Sequence, residues 1–296
     1  MKNSLKIIGI IIGILIIGFG GYFMLFKDSN KTMTKQEEVV TENNRNESFS
    51  SKMTGDASGL KTTTFTLNNV DFKMIRVEAG TFTMGSSDTN VDFSESPAHK
   101  VTLTRDYLIG ETEVTEKLWS AVMGGSGDSN KPKTSVTWSQ AHDFITKLNQ
   151  IAHEQKVIDD NLNFALPTEA QWEFAAKGGN LSKGYKYSGS DNIDEVAVTL
   201  ENSGSNSPVE VKTKKPNELG LYDMSGNAYE WVDDYAGDYS SEAQTDPQNI
   251  IKSSQYVKRG GSNYHSFNSE SYLFTTTGRY FYGSADWTIG FRIALQ

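Results

Sequence analysis

Cysteine is missing from the entire chain. That excludes disulfides, thiolate metal sites, cysteine nucleophiles and a lipid-modified N-terminal cysteine. An excess of basic charge is missing too. Lys and Arg number 28 against 37 Asp and Glu, for a formal net charge of −9. No basic surface is available for phosphate binding, so a nucleic-acid partner is not expected, nor docking of the globular part on an anionic membrane. Neither G-x-S-x-G, nor a phosphate-binding glycine loop, nor H-E-x-x-H occurs, and the glycine clusters read as turns. Paired acids such as Asp233-Asp234 could serve glycoside cleavage, but such pairs are usually solvated.

What is present is 36% hydrophobic residues, 11% aromatic residues and 26 glycines, a profile of a loop-rich mixed fold rather than a helical bundle. Residues 7–26 carry no charge and are dominated by Ile and Gly. At about 1.5 Å per residue, a helix of that length spans the hydrocarbon core of a bilayer. Lys2 and Lys6 precede it, placing residues 1–6 in the cytoplasm, although Lys27 and Lys31 beyond it dilute that signal. A cleaved signal peptide is the rival reading, but the run continues apolar past Gly18, Gly20 and Gly21. The expectation is a single-pass anchor in the cell membrane with the C-terminal part extracytoplasmic. Residues 27–64 are polar and poor in aromatics, hence a disordered tether. The globular domain is expected over 65–296.

Within it, 72–77, 80–84 and 101–108 read as strands. A polar loop at 86–100 holds Asp88, Asp92, Glu95 and His99. Three helices follow, capped by Thr115, Thr137 and Thr168, the last with Gln171 in capping-box position. His142 and His153 share a face of the second helix, too far apart for one metal. Residues 179–216 read as loop with one short strand at 208–211. Helices and strands without βαβ alternation predict an α+β fold.

At 219–234, LGLYDMSGNAYEWVDD, Tyr229 and Trp231 alternate with Glu230 and Val232 after a Ser225-Gly226-Asn227 turn. Glu230 either joins Asn227 and turn carbonyls around a hard cation such as calcium or pairs with an arginine such as Arg292. Taken with VEAGTFTMG (77–85), EVTEKLW (113–119), Pro132 with VTW (136–138), LPTEAQWEFAA (166–176), RGGS (259–262) and GFR (290–292), this stretch resembles the formylglycine-generating-enzyme, or sulfatase-modifying-factor, domain family. The family's fold is a variant of the C-type lectin fold, and the resemblance covers roughly residues 70–296.

The resemblance implies two calcium positions. One matches Asn202 and Glu210, with Glu in place of the more usual Asp. The other matches Asn227, Glu230 and backbone carbonyls that include Ala228. It also implies copper held by two cysteines just after the glycine turn. Here the matching positions are His265 and, within a residue, Glu270, so no thiolate is offered and no copper is expected. An oxygenase with non-cysteine ligands would need a further histidine beside them. The interval before GFR instead holds Asn263, Tyr264, His265, Phe267, Tyr280, Tyr282, Asp286 and Trp287, the residue types of binding surfaces. In lectin-like proteins diversified by retroelements, the same interval is the variable ligand-binding face. The leading expectation is a module that binds an extracytoplasmic protein or glycan. The alternatives are a metal-dependent oxidase of the family type and a scaffold subunit of an envelope complex.

Overall fold

The computed structural model describes residues 54–55, 61–88 and 93–296. The expected span at 7–26, most of the tether and Asp92 lie outside the described residues. Among the described residues, no helix is long and apolar enough to cross a membrane.

The first strands fall inside the stretch read as tether. β1 (Thr54–Gly55) pairs with the start of β2 (Lys61–Leu67), so ordered structure begins before residue 65. β2 turns back into β3 (Val70–Val77) through Asn68 and Asn69, both with positive φ. Asparagine tolerates that conformation, and the two-residue turn matches the twist of the paired strands. β4 (Gly80–Met84) forms as expected. The strand expected over 101–108 is instead two strands in different sheets, β5 (His99–Leu103) and β6 (Tyr107–Gly110). Side chains break it: Thr104 N–H donates to Asp246 Oδ1 at 2.8 Å, and Asp106 accepts from Arg76 and from Ala79 N–H.

The three capped helices are α1 (Glu116–Met123), α2 (Trp138–Glu154) and α3 (Glu169–Ala176). Thr115 caps α1, and Thr137–Gln140 and Thr168–Gln171 form complete capping boxes. β7 (Phe164–Ala165) lies between α2 and α3. The region 179–216, whose composition predicts loop, holds α4 (Ile193–Val196) and α5 (Leu200–Ser203). The strand expected at 208–211 does not form. Val209 N–H donates to the Asn227 side chain and Val211 N–H to Asn130 O, so no ladder partner is left for them.

The C-terminal part supplies β8 (Tyr229–Tyr235), β9 (Gln244–Thr245), β10 (Tyr256–Arg259), α6 (Phe267–Glu270), β11 (Arg279–Tyr282), β12 (Ile289–Phe291) and β13 (Ala294–Leu295). Among the described residues, strands assemble in the orders β1-β2-β3-β6-β13-β7, β11-β10-β8-β12 and β4-β5-β9. The last strand is thus inserted between β6 and β7, stitching the chain's end into its first sheet. The main core packs α3 (Trp172, Phe174) against Ile75 and Val77 of β3, Met224, and Val232 and Val257 of the four-stranded sheet.

Candidate functional site

The sheet β11-β10-β8-β12 has two unlike faces, and strand alternation decides which residue goes where. Opposite partners point the same way. Arg259 stands across from Arg279 and Glu230, while its neighbour Lys258 stands across from Tyr280 and Trp231.

The inner face is a buried ion network seated on α3. Arg259 donates to Glu173 Oε2 at 2.6 Å and Glu169 Oε1 at 3.1 Å, and Arg279 grips both oxygens of Glu169 at 2.7 and 2.9 Å. Lys177 adds a further cation on Glu173 at 2.6 Å. Beside it, Arg292 holds Glu230 by two bonds of 2.6 Å each, and Trp172 Nε1 donates to the same carboxylate. Arg259, Glu173, Glu230 and Arg292 are all 0% exposed. Residues of LPTEAQWEFAA, GNAYEW, RGGS and GFR therefore meet in one structural lock, in which every buried charge has an opposite. Breaking such a pair costs about 3–5 kcal/mol, because the orphaned charge stays buried.

The outer face is aromatic. Lys258 Nζ lies 3.8 Å from the Tyr229 ring centroid and 4.9 Å from that of Tyr282. Burial lowers the Lys258 pKa to about 8, with Asp286 pulling the other way. Tyr229 touches His265 and Tyr280 edge-on, and Tyr264 meets both His265 and Trp287. The Tyr229 hydroxyl is pushed above its usual pKa by burial and then by the charges of Glu270 and Asp286.

The residues expected to bind a ligand divide accordingly. Tyr264 and Trp287 are 50% and 42% exposed and meet at 4.8 Å with ring planes 80° apart. Tyr272 joins them at 40%. Asn263 is instead fully buried, donating to Ser205 O, and is corrected to a structural residue. Phe267 and Tyr280 pack against the small core of Tyr187, Ile193, Val196 and Phe274. Tyr282 is half-buried against Lys258, and Asp286 accepts from the backbone and hydroxyl of Thr288. His265 Nδ1 stands 3.3 Å from Glu270 Oε2. The other histidines are elsewhere, His142 with Asp233, His153 with Asn163 and His99 with Pro97 O. Sequence reading missed Lys258, whose role follows from its register opposite Tyr280, and Glu201, which accepts from Ser266 Oγ, Phe267 N–H and Asn268 Nδ2 and so fastens α6 at the rim.

Of the calcium ligands expected from the resemblance, Glu230, Asn227 and Asn202 already have protein partners. Glu230 is neutralised by Arg292, which was the other reading of that residue. Asn227 Oδ1 accepts from Val209 N–H at 3.0 Å, and Ala228 is fully buried. Asn202 Oδ1 accepts from Thr199 N–H in its own capping box, and Glu210 is exposed. Among the described residues, no three Asp, Glu or His side chains gather as a metal-binding group. The unsatisfied oxygens are next door: both of Glu113 and one of Asp223, each at most 2% exposed. Burial drives the Glu113 pKa well up, helped by Asp223 and Glu230 and opposed by Arg292; burial raises Asp223 to about 6.

Similarity to known proteins follows this geometry. The chain is 33% identical over 206 residues to the chaperone protein LppX of Paenibacillus barcinonensis, covering 53% of this chain and 70% of that one. It is 24% identical over 261 residues to the formylglycine-generating enzyme of Mus musculus, covering 64% and 66%. Among solved structures it resembles Treponema denticola variable protein 1, with a TM-score of 0.68, 31% identity, and coverage of 79% of this chain and 98% of that one. The profile of the sulfatase-modifying factor enzyme 1-like domain matches residues 62–296, and the chain belongs to that family.

Proposed function

We propose that this chain is a cysteine-free member of the family that works by binding rather than by redox catalysis. It would be anchored in the cell membrane by residues 7–26 and would present its aromatic face to a partner outside the cell. One observation carries the reading: the exposed large aromatics among the described residues, Tyr264, Tyr272 and Trp287, all stand on the outer face. Rigid rings with polar edges are the side chains that supply contact area at low entropic cost. The similarity to a protein described as variable and to one described as a chaperone favours a protein partner over a glycan. The oxidase alternative has less support, since His265 and Glu270 stand together without a second histidine near them.

The test is affinity capture from an envelope extract by the full chain, compared with a Tyr264→Ala/Trp287→Ala variant. Both rings are about half exposed, so their loss should leave Tm within a few degrees while the captured partner falls about tenfold or more. Equal capture by the two proteins, at equal folded concentration, overturns the proposal.

Calcium remains part of the proposal at a different place. A hard cation prefers carboxylate and carbonyl oxygens, and Glu113 and Asp223 are the pair with oxygens to give.

A further inference from the structure

Ile250 and Ile251 are 74% and 78% exposed, the two most exposed large hydrophobic side chains among the described residues. A single apolar side chain in water is ordinary, but two in succession on one loop make a contiguous patch. The loop that carries them is held firmly. Asn249 N–H donates to Asp234 Oδ1 at 2.7 Å, and Asn249 O accepts from Tyr235 N–H. The Asn249 side chain donates to Tyr235 O and accepts from Ile251 N–H. Ala236 N–H closes the far end of the loop on Gln255 O. One asparagine thus clamps the base of the loop to the end of β8 while both isoleucines stay in solvent.

Their place and surroundings identify what covers them. Tyr235 ends β8, whereas His265, Tyr264 and Trp287 gather in turn beyond Tyr229 at its start. A strand of that length covers about 20 Å, so the isoleucines stand at the far end of the sheet from those rings. Beside the loop, Trp138 stacks on Tyr256 at 4.3 Å and Tyr256 packs on Tyr235 at 5.2 Å, all three half-buried. Rings with an apolar body and a polar tip suit the level of lipid headgroups. The chain has a net charge of −9, yet residues 247–255 contain no acid and one lysine, Lys252. A lysine there can lay its stem along apolar groups and keep its ammonium among headgroups.

The chain's entry connects to this loop by a short run of contacts. Lys61, where β2 begins, pairs with Glu78 at 2.9 Å. Ala79 N–H donates to Asp106 Oδ1, and Thr104 N–H donates to Asp246 Oδ1 at the start of the loop. Residues 27–53, between the apolar run and β1, reach no further than about 100 Å even when fully extended. On an anchored chain, that confinement gives the bilayer a millimolar effective concentration, at which a small apolar contact is kept. A stable protein interface takes about 800 Å² from each partner, far more than two side chains offer.

We propose that Ile250 and Ile251 insert at the acyl boundary of the bilayer that holds the chain, and that this contact turns Tyr264 and Trp287 away from lipid. The proposal rests on the reading that residues 7–26 span that bilayer.

The absence of cysteine lets one fluorophore be placed at one site of the full chain. Two single-cysteine proteins are labelled with nitrobenzoxadiazole: Ser254→Cys beside the isoleucines and Ser269→Cys on α6, both at exposed serines. Each is reconstituted into phosphatidylcholine vesicles, and retention through an alkaline carbonate wash checks the anchor. A nitroxide carried at a shallow acyl position should quench the Ser254→Cys label at least about fivefold more than the Ser269→Cys label. Adding Ile250→Asn/Ile251→Asn to the Ser254→Cys protein should bring its quenching down to the level of the other label. Tm should move by no more than a few degrees, since both isoleucines are exposed. Suppose the chain is retained. A Ser254→Cys label that escapes quenching, that is quenched no more than the Ser269→Cys label, or that is quenched equally without the isoleucines overturns the inference and leaves them to a protein partner. A chain that washes off the vesicles overturns the anchor and this inference with it, so the two failures are told apart.

Discussion

Glu113 shows how a single side chain sets a condition on the whole protein. It shares Arg292 with Asp223 and Glu230, three carboxylates on one guanidinium, and its two oxygens have no donor from any other residue. An acid whose pKa is raised by folding holds its proton more tightly in the folded state. It therefore favours folding at low pH, and that contribution is lost as pH climbs through the folded pKa. Asp223, raised to about 6, and Asp234, raised to about 7, act in the same direction as Glu113. In metal-free buffer, Tm should be higher near about pH 5 than near about pH 8, and Glu113→Gln should raise the value at the higher pH and flatten the difference. A bound cation would do the same work as the lost proton, so calcium should restore Tm at the higher pH in the wild type and have no effect in Glu113→Gln. Calorimetric scans with EDTA and with calcium check both statements. Some of this was legible in advance. The choice at Glu230 between a cation and Arg292 was visible from the alternation in GNAYEW, and the structure selects the arginine. Glu113 was not legible as its neighbour, because no local pattern reveals which of three distant segments meet.

At the scale of elements, local chemistry was readable where it was self-contained. A threonine followed three residues later by glutamine fixes a helix start by two reciprocal bonds, and α2 and α3 begin where that pattern predicts. The expected strand at 101–108 was split, because Asp246 and Asp106 reach its middle from other parts of the chain. α4 and α5 are each one turn long, too short for periodicity to show. α5 nevertheless has a clear role, because Glu201 accepts from the Phe267 N–H and from the Ser266 and Asn268 side chains at the start of α6, and Leu200 N–H donates to His265 O. Glu201→Gln keeps the shape and removes the charge that these donors face. It should leave Tm nearly unchanged, since the residue is exposed, yet weaken partner binding several-fold by loosening the loop that carries Tyr264. Titration of the purified partner against both proteins reads this directly, and unaltered affinity would remove the rim from the binding account.

For the molecule as a whole, the two faces of one sheet divide the labour. Family membership is written on the inner face, where Glu169, Glu173, Trp172, Glu230, Arg259 and Arg292 lock α3 to the four-stranded sheet. Those residues are tied to one another by ion pairs and hydrogen bonds that hold the fold, which is why fold was legible from the motifs and activity was not. The outer face takes no part in that lock. Its exposed rings meet their neighbours at the surface, Tyr264 with His265 and Trp287 and Tyr272 with Tyr280, and none of them enters the ion network. The separation has a measurable consequence. Replacing Tyr264, Tyr272 and Trp287 together by alanine should lower stability by no more than about 1–2 kcal/mol, since each stays 40–50% exposed in the folded protein. Arg259→Met alone, which leaves Glu173 buried and unpaired, should cost about 3–5 kcal/mol. Urea unfolding of the two proteins ranks them. A triple surface variant less stable than Arg259→Met would mean that the aromatic face helps to hold the fold together, and the division between a fixed inner lock and an adaptable outer surface would fail.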